Sequence, residues 1–332
     1  MEGRAAALGA GTVLNALATG TGAAFGIDVE TRATVELDPA SATADVEGSI
    51  ADASDSDTEL IERCVALATE RWGDGQGGTV ETESDVPLAA GLKSSSAAAN
   101  ATVLATCAAL GLRVGDDPDD PTVDVTRLEA CRLGVRAARD AGVTVTGAFD
   151  DATASMLGGV CLTDNGSDAL RSREPIGWEV LVWTPPERAY SADADVDRCA
   201  SVAPMADLVA DLAADGRYAE AMTVNGLAFS AALGFDPDPA VEAMPDVAGV
   251  SLSGTGPSVV AVADPDEPAH DLDAVADRWG ERPGALRRTT TRNDGARILD
   301  RSTDSNVSTG DNRANDADES IDGNDADESD TS

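Results

Sequence analysis

Residues 87–98 read PLAAGLKSSSAA and combine residue types that suit anion chemistry. Gly91 lets the backbone approach a ligand closely. Lys93 is the one lysine in a chain whose other basic side chains are all Arg. Ser94, Ser95 and Ser96 supply hydroxyls where an Ala-rich helical run begins. A helix start leaves N–H groups without intrahelical partners and carries the positive end of the dipole, so it attracts phosphate. A serine-rich start is equally an ordinary helix cap. Lys93 and the Pro87 to Gly91 spacing favour phosphate. The segment is not a G-x-x-x-x-G-K-[ST] loop, and no G-x-G-x-x-G opens a helix after a strand, which excludes the common nucleotide fingerprints.

A second group lies at residues 146–152, TGAFDDA, where Asp150 and Asp151 follow a short apolar run and a glycine. Phosphoryl transfer to a hydroxyl needs positioning, charge neutralisation and a carboxylate beside the attacking oxygen. An Asp pair also suits a helix cap. Beside a phosphate loop Asp150 is the better candidate for a base, and Asp151 keeps the cap reading open. Ser253, Gly254, Thr255 and Gly256 form a third group, a glycine turn between apolar runs. By itself such a turn is a common hairpin connection.

These groups need a scaffold. Alternation over residues 27–37 predicts a half-buried strand, and residues 58–72 carry a helical apolar stripe stopped by Gly73. A strand is expected at 80–86, then a long Ala-rich helix at about 95–110 closed by Gly111. Another helix spans 125–141, and short strands at 143–146 and 160–163 flank residues 147–158. Residues 3–26 are too rich in glycine for a helix. The polar break at 164–168 marks the expected boundary between a domain of residues 1–165 and one of residues 166–299.

In the second half, strands are expected at 178–184, 247–252, 258–263 and 285–292. Helices are expected at 204–214, 218–233 and 272–279. Strands and helices interleave without a regular βαβ rhythm, which indicates an α+β fold. Residues 300–332 are Asp, Ser, Asn and Gly with almost nothing apolar, the composition of a disordered tail.

Composition limits the partners. A net charge of -38 excludes ordinary electrostatic binding to duplex nucleic acid or to an anionic membrane. Acid excess with almost no lysine reads as a salt-adapted surface, because molar salt shortens the Debye length to ~3 Å. The apolar fraction of 42% builds a core, and 3% aromatic makes it one of Ala, Val and Leu. Cys64, Cys107, Cys131, Cys161 and Cys199 form no C-x-x-C pair and sit in apolar runs, so buried reduced thiols are expected. No signal segment or membrane-length apolar run stands out, so a cytoplasmic protein is expected.

Residues 87–97 resemble the second motif of the GHMP kinases, P-x-x-x-G-L-x-S-S-x-A, at every fixed position. The resemblance implies that Pro87, Leu88, Ala89, Ala90, Gly91, Leu92, Lys93, Ser94, Ser95, Ser96 and Ala97 wrap the phosphates of ATP. It also implies that Ser95 contributes to Mg²⁺ binding. The turn at Ser253–Gly256 resembles the family's third motif, and residues 9–16, GAGTVLNA, lie where the family has its substrate-side strand, with Asn15 the residue to follow. Residues 146–152 resemble the S/T-G-x-D-N/D-A element, which gives Asp150 the place of the base and Asp151 the place beside it, on the substrate side. Asp140 occupies the place of the family's second metal carboxylate, where Glu is usual.

Three longer stretches, at residues 11–37, 91–101 and 141–155, are similar to the archaeal shikimate kinases, a GHMP branch. Together they imply two domains, ribosomal-protein-like and then ferredoxin-like, with ATP between them. They also imply phosphorylation of shikimate to shikimate 3-phosphate in aromatic amino-acid synthesis. Homoserine kinase is the alternative within the class, and a non-catalytic nucleotide-binding protein the alternative outside it. Oligomeric state is not legible.

Overall fold

A computed structural model describes residues 1–39, 45–51, 53, 56–86, 90–144, 146–189 and 194–300. Pro87, Leu88 and Ala89 of the phosphate segment lie outside the described residues, and so does the tail beyond Asp300.

The glycine-rich start of the chain is a strand, β1 (Glu2–Leu14). Its small residues have a packing reason. A Cβ on Gly3 would stand 2.1 Å from the Ala105 carbonyl oxygen and 2.3 Å from the Ala109 nitrogen, both in the Ala-rich helix that lies across it. Glycine on the strand and alanine on the helix let the two backbones approach this closely.

β1 pairs antiparallel with the long β2 (Thr21–Leu37), whose other edge is shared between two partners. Residues 31–37 pair with β4 (Gly78–Ser84), which pairs in parallel with β3 (Val46–Ile50). Residues 21–25 pair with β7 (Val160–Asp164), which turns back into β8 (Ala169–Glu174). The polar break at 164–168 is therefore the turn of a hairpin, and the strands on both sides of it belong to this first sheet.

Three helices lie on one face of that sheet, α1 (Glu59–Trp72), α2 (Ser94–Ala109) and α4 (Phe149–Leu157), and α3 (Arg127–Asp140) packs on these helices. The apolar stripe of α1 buries Leu60, Ile61, Cys64, Val65 and Leu67, as the periodicity predicts. A capping box starts α3: the Glu129 N–H donates to Thr126 Oγ1 at 3.1 Å, and the Thr126 N–H returns a bond to Glu129 at 2.9 Å. The minor parallel strands β5 (Val114–Gly115) and β6 (Val125–Thr126) precede it. Among its described residues the expected strand at 143–146 is not found. Residues 143 and 144 carry no regular structure, and four residues are too few for alternation to fix a strand without a neighbour to pair with.

The second sheet is antiparallel, in the order β10 (Gly249–Leu252), β11 (Val259–Ala263), β9 (Glu179–Thr184), β12 (Ala285–Thr290). Alternation along β9 sends Val180 and Val182 into one core and Leu181 and Trp183 into another. The first of these cores joins the two sheets. There Phe25 of β2 meets Trp178 edge to face at 5.5 Å. The short helix α5 (Val196–Ala200), α6 (Ala203–Ala214) and α7 (Tyr218–Leu233) bury Cys199, Val209, Met222 and Phe229 in the same cluster. The other core takes α8 (Asp238–Ala243) and α9 (Leu272–Gly280). The chain then returns to the first sheet, where β13 (Arg297–Ile298) pairs with β1. Residues 1–300 form one compact unit.

All five cysteines are buried and free, in line with the sequence, and burial pushes the Cys107 thiol up to about 12. Among the described residues no helix is long and apolar enough to cross a membrane.

Candidate active site

Helix α2 begins with strain. Its N-cap, Lys93, is in the left-handed region at φ 67°, a conformation uncommon outside glycine. No side chain caps the helix and no acidic residue lies in its first turn. The serines therefore do not serve as a cap, and the helix presents its positive end unblocked. Ser95 is exposed there, while Lys93 folds inward and is only 8% exposed.

Helix α4 begins in the same way, with Ala148 left-handed at φ 48° and no side-chain cap. The turn before it is shaped by hydroxyls: Thr144 Oγ1 accepts from the Gly147 N–H at 3.1 Å and Thr146 Oγ1 from the Ala148 N–H at 3.2 Å. Asp150 and Asp151 then stand in the first helical turn, where the dipole favours negative charge. Neither caps. Asp151 Oδ1 pairs with Lys93 Nζ at 2.9 Å, joining the two helix starts.

Asp150 is 4% exposed and gripped from β7. Asn165 Nδ2 donates to its Oδ1 at 2.7 Å, and its own N–H donates to Asn165 Oδ1 at 3.1 Å. Thr163 fixes the orientation of Asn165 by donating to the same Oδ1 at 2.8 Å. Gly22 of β2 leaves the space for the carboxyl, since a Cβ there would lie 2.5 Å from Asp150 Oδ2. Burial pushes the Asp150 pKa up to about 7, with help from the charge of Asp151. Lys93 and the hydrogen bond from Asn165 act in the opposite direction.

The glycine turn closes the site. Gly91, at φ +79°, has no room for a Cβ, which would stand 2.3 Å from the Ser253 carbonyl oxygen. Ser253 Oγ donates to the Gly91 carbonyl at 2.8 Å. The Gly254 N–H donates to Thr12 Oγ1 at 2.8 Å, and Asn15 Nδ2 donates to the Gly254 carbonyl at 2.7 Å. Asn225 of α7 holds Asn15 in turn by accepting its N–H at 2.8 Å. A Cβ on Gly254 would reach within 2.5 Å of Lys93 Nζ, so the bare turn makes the space the ammonium needs.

These parts surround a cavity of about 700 Å³. Asn15, Gly91, Lys93, Ser94, Ser95, Asp150, Asp151, Gly254 and Thr255 of the sequence-derived residues line it. Ala90, Leu92, Ser96, Ala97, Ser253 and Gly256 are buried and do not line it. Asp140 is placed elsewhere. It ends α3 and binds Arg63, with Nη2 and Nε at 2.7 and 2.9 Å from one oxygen, and it does not line the cavity.

Sequence reasoning missed Asn165, Gly22, Thr12, Asn225 and Arg188. Asn165 sits in an Asp-Asn-Gly turn, where asparagine has an ordinary conformational use that conceals any other. Its contribution is measurable. Asn165→Ala removes a hydrogen bond that favours the ionised carboxyl, so the pKa governing the acid limb of the rate profile should move upward. A profile of kcat against pH with an unmoved acid limb would show that Asn165 only holds the turn.

Among the described residues no cluster of three His, Cys, Asp or Glu could hold a metal by itself. The oxygens at hand, the Ser95 hydroxyl and nearby carboxylates, are hard donors. They fit Mg²⁺ that takes most of its ligands from phosphates and water.

Residues 59–159 match the family model described as the GHMP kinases N terminal domain. The shikimate kinase of Halobacterium salinarum is 62% identical over 297 residues, covering 90% of this chain and 99% of that protein. The shikimate kinase of Methanosarcina mazei is 47% identical over 297 residues, covering 89% of this chain and 96% of that one. A solved homoserine kinase from Cytophaga hutchinsonii superposes with a TM-score of 0.68 at 17% identity, over 90% of this chain and 97% of its own. A mevalonate kinase from Methanococcus jannaschii gives 0.63 at 12% identity, over 88% and 98%. At such identities the two structures speak for the fold, while the two sequences speak for descent. The chain belongs to the GHMP kinases, and within them to the archaeal shikimate kinases.

Proposed function

We propose that this chain transfers the γ-phosphoryl group of ATP to the 3-hydroxyl of shikimate, giving shikimate 3-phosphate and ADP on the route to aromatic amino acids. The observation that carries the chemistry is the meeting of a buried carboxylate, the only lysine and an uncapped helix start in one cavity. The 62% identity to a named shikimate kinase supports the substrate.

In this reading the phosphates of ATP lie against the first turn of α2, where N–H groups and the dipole face them. Lys93 neutralises charge on the transferring group, oriented by Asp151. Ser95 would help to hold Mg²⁺, which would neutralise further phosphate charge. Asp150 accepts the proton of the attacking hydroxyl, and a pKa near neutrality suits it to take that proton and release it again. The glycine turn and Asn15 keep the phosphate loop and the acceptor side in register. Asp140 has its charge engaged by Arg63 and no metal role in this scheme. The acidic surface and the halobacterial relative agree with a cytoplasmic enzyme working at high salt.

The test is ADP release with MgATP in molar KCl against shikimate, homoserine, mevalonate and galactose in parallel. Turnover on shikimate alone is expected. Turnover on a different acceptor would discard the substrate, and none on any from folded protein would turn the reading toward nucleotide binding without catalysis.

A further inference from the structure

The proposed substrate carries a carboxylate, and the cavity wall is otherwise hostile to one. Its acidic lining residues are Asp57, Asp150 and Asp151, and Lys93 is already paired with Asp151. The remaining cation among the described lining residues is Arg188.

Arg188 is unusual in this chain. With 61 acidic residues against 23 basic ones, most described arginines are held by a carboxylate or by backbone carbonyls. Arg63, Arg113, Arg127, Arg139, Arg282 and Arg292 are examples, at 2.5–2.9 Å. Arg188 has no such partner among the described residues and is exposed at the cavity. Arg71, Arg136 and Arg287 also lack one among the described residues, but none of them lines the cavity, and Arg71 stacks on the Trp72 ring.

Topology explains how it arrives there. β9 ends at Thr184, whose hydroxyl bonds the Ser258 hydroxyl at 2.8 Å at the start of β11. The segment carrying Arg188 therefore leaves the second sheet next to the glycine turn, which abuts Lys93. The apolar wall takes Ile50 from β3, Leu60 and Ile61 from α1 and Val143 from the segment after α3, and suits the flat faces of a base. The cationic contribution comes from the other sheet.

We propose that Arg188 is the residue that recognises the carboxylate of the acceptor substrate, through a charge-assisted and bidentate pair. The inference rests on the reading of the chain as a shikimate kinase. It makes Arg188 a specificity determinant that selects acidic cyclic alcohols over neutral ones.

The experiment measures KM and kcat for shikimate and for ATP with the unaltered enzyme, Arg188→Ala and Arg188→Lys. It repeats the shikimate measurement with shikimate carboxamide. Arg188→Ala should raise KM for shikimate roughly 10- to 100-fold and leave KM for ATP unchanged, the loss of a charged hydrogen-bonded pair. Arg188→Lys should recover part of it. The carboxamide should cost the unaltered enzyme a similar factor and cost Arg188→Ala little more. An unchanged KM for shikimate in Arg188→Ala, or an equal rise for ATP, overturns the proposal while the kinase reading stands. No shikimate turnover by the unaltered enzyme overturns both. Arg188 is exposed, so its loss should leave the melting temperature unchanged, and a matching melt confirms that the comparison is between folded proteins.

Discussion

Asp150→Asn should lower kcat on shikimate by roughly 10²- to 10⁴-fold while leaving the affinity for ATP unchanged, the signature of a lost general base. The substitution keeps the shape of the side chain, which matters because Gly22 leaves it so little space. The unaltered enzyme should lose activity as pH falls through about 7, where Asp150 takes up its proton, and Asp150→Asn should lack that limb. Stability should move in the opposite sense. A carboxyl raised above its unfolded value of 3.8 holds its proton more tightly in the fold. Its contribution to stability is therefore full below 3.8 and is lost as pH rises through about 7. Above that pH the Asn variant, which has no charge to bury, should melt higher than the parent. A variant that lost activity through misfolding would melt lower. Equal kcat in the two proteins would remove Asp150 from the chemistry.

What the sequence discloses and what it conceals divide along one physical line. Lys93 was legible because its type is rare here, and Asp150 because carboxylates after a glycine have few uses beside a phosphate loop. Both signals are local. The helices α1, α2 and α7 followed from periodicity and composition within one or two residues of their observed ends. β1 was not legible in periodicity or composition, and only the family resemblance hinted at it, because its Gly and Ala content answers to a helix lying nearly a hundred residues away in the chain. Asn165, Asn225 and Arg188 were missed for the same reason: each acts on a partner brought near only by folding. Asp140 shows the converse limit. Its position along the chain matched a metal ligand, but the fold turned it toward Arg63 on α1. Whether a carboxylate faces a cavity or a surface arginine depends on helix rotation, and spacing alone does not encode that.

Gly91→Ala should have the second large effect, and a control separates its two causes. Gly91 and Gly111 share nearly the same backbone, at φ +79° and +74°, so alanine at either is strained by roughly 1–2 kcal/mol. They differ in surroundings. A Cβ on Gly111 meets nothing within 4 Å, whereas on Gly91 it would lie 2.3 Å from the Ser253 oxygen and 2.9 Å from the Gly256 oxygen. Both are backbone atoms of a turn tied to Thr12 and Asn15, so they cannot step aside cheaply. The loop or the turn must move instead, breaking the Ser253 to Gly91 bond and carrying Lys93 away from Asp151. Gly111→Ala should therefore lose about 1 kcal/mol of stability and keep its kinetics. Gly91→Ala should lose roughly 3 kcal/mol or more, with a strong rise in KM for ATP and a fall in kcat. Denaturant melts and initial rates on the two variants read both quantities. Equal kinetics in Gly91→Ala and Gly111→Ala would mean that the contact between loop and turn is structural only, and that ATP is held without it.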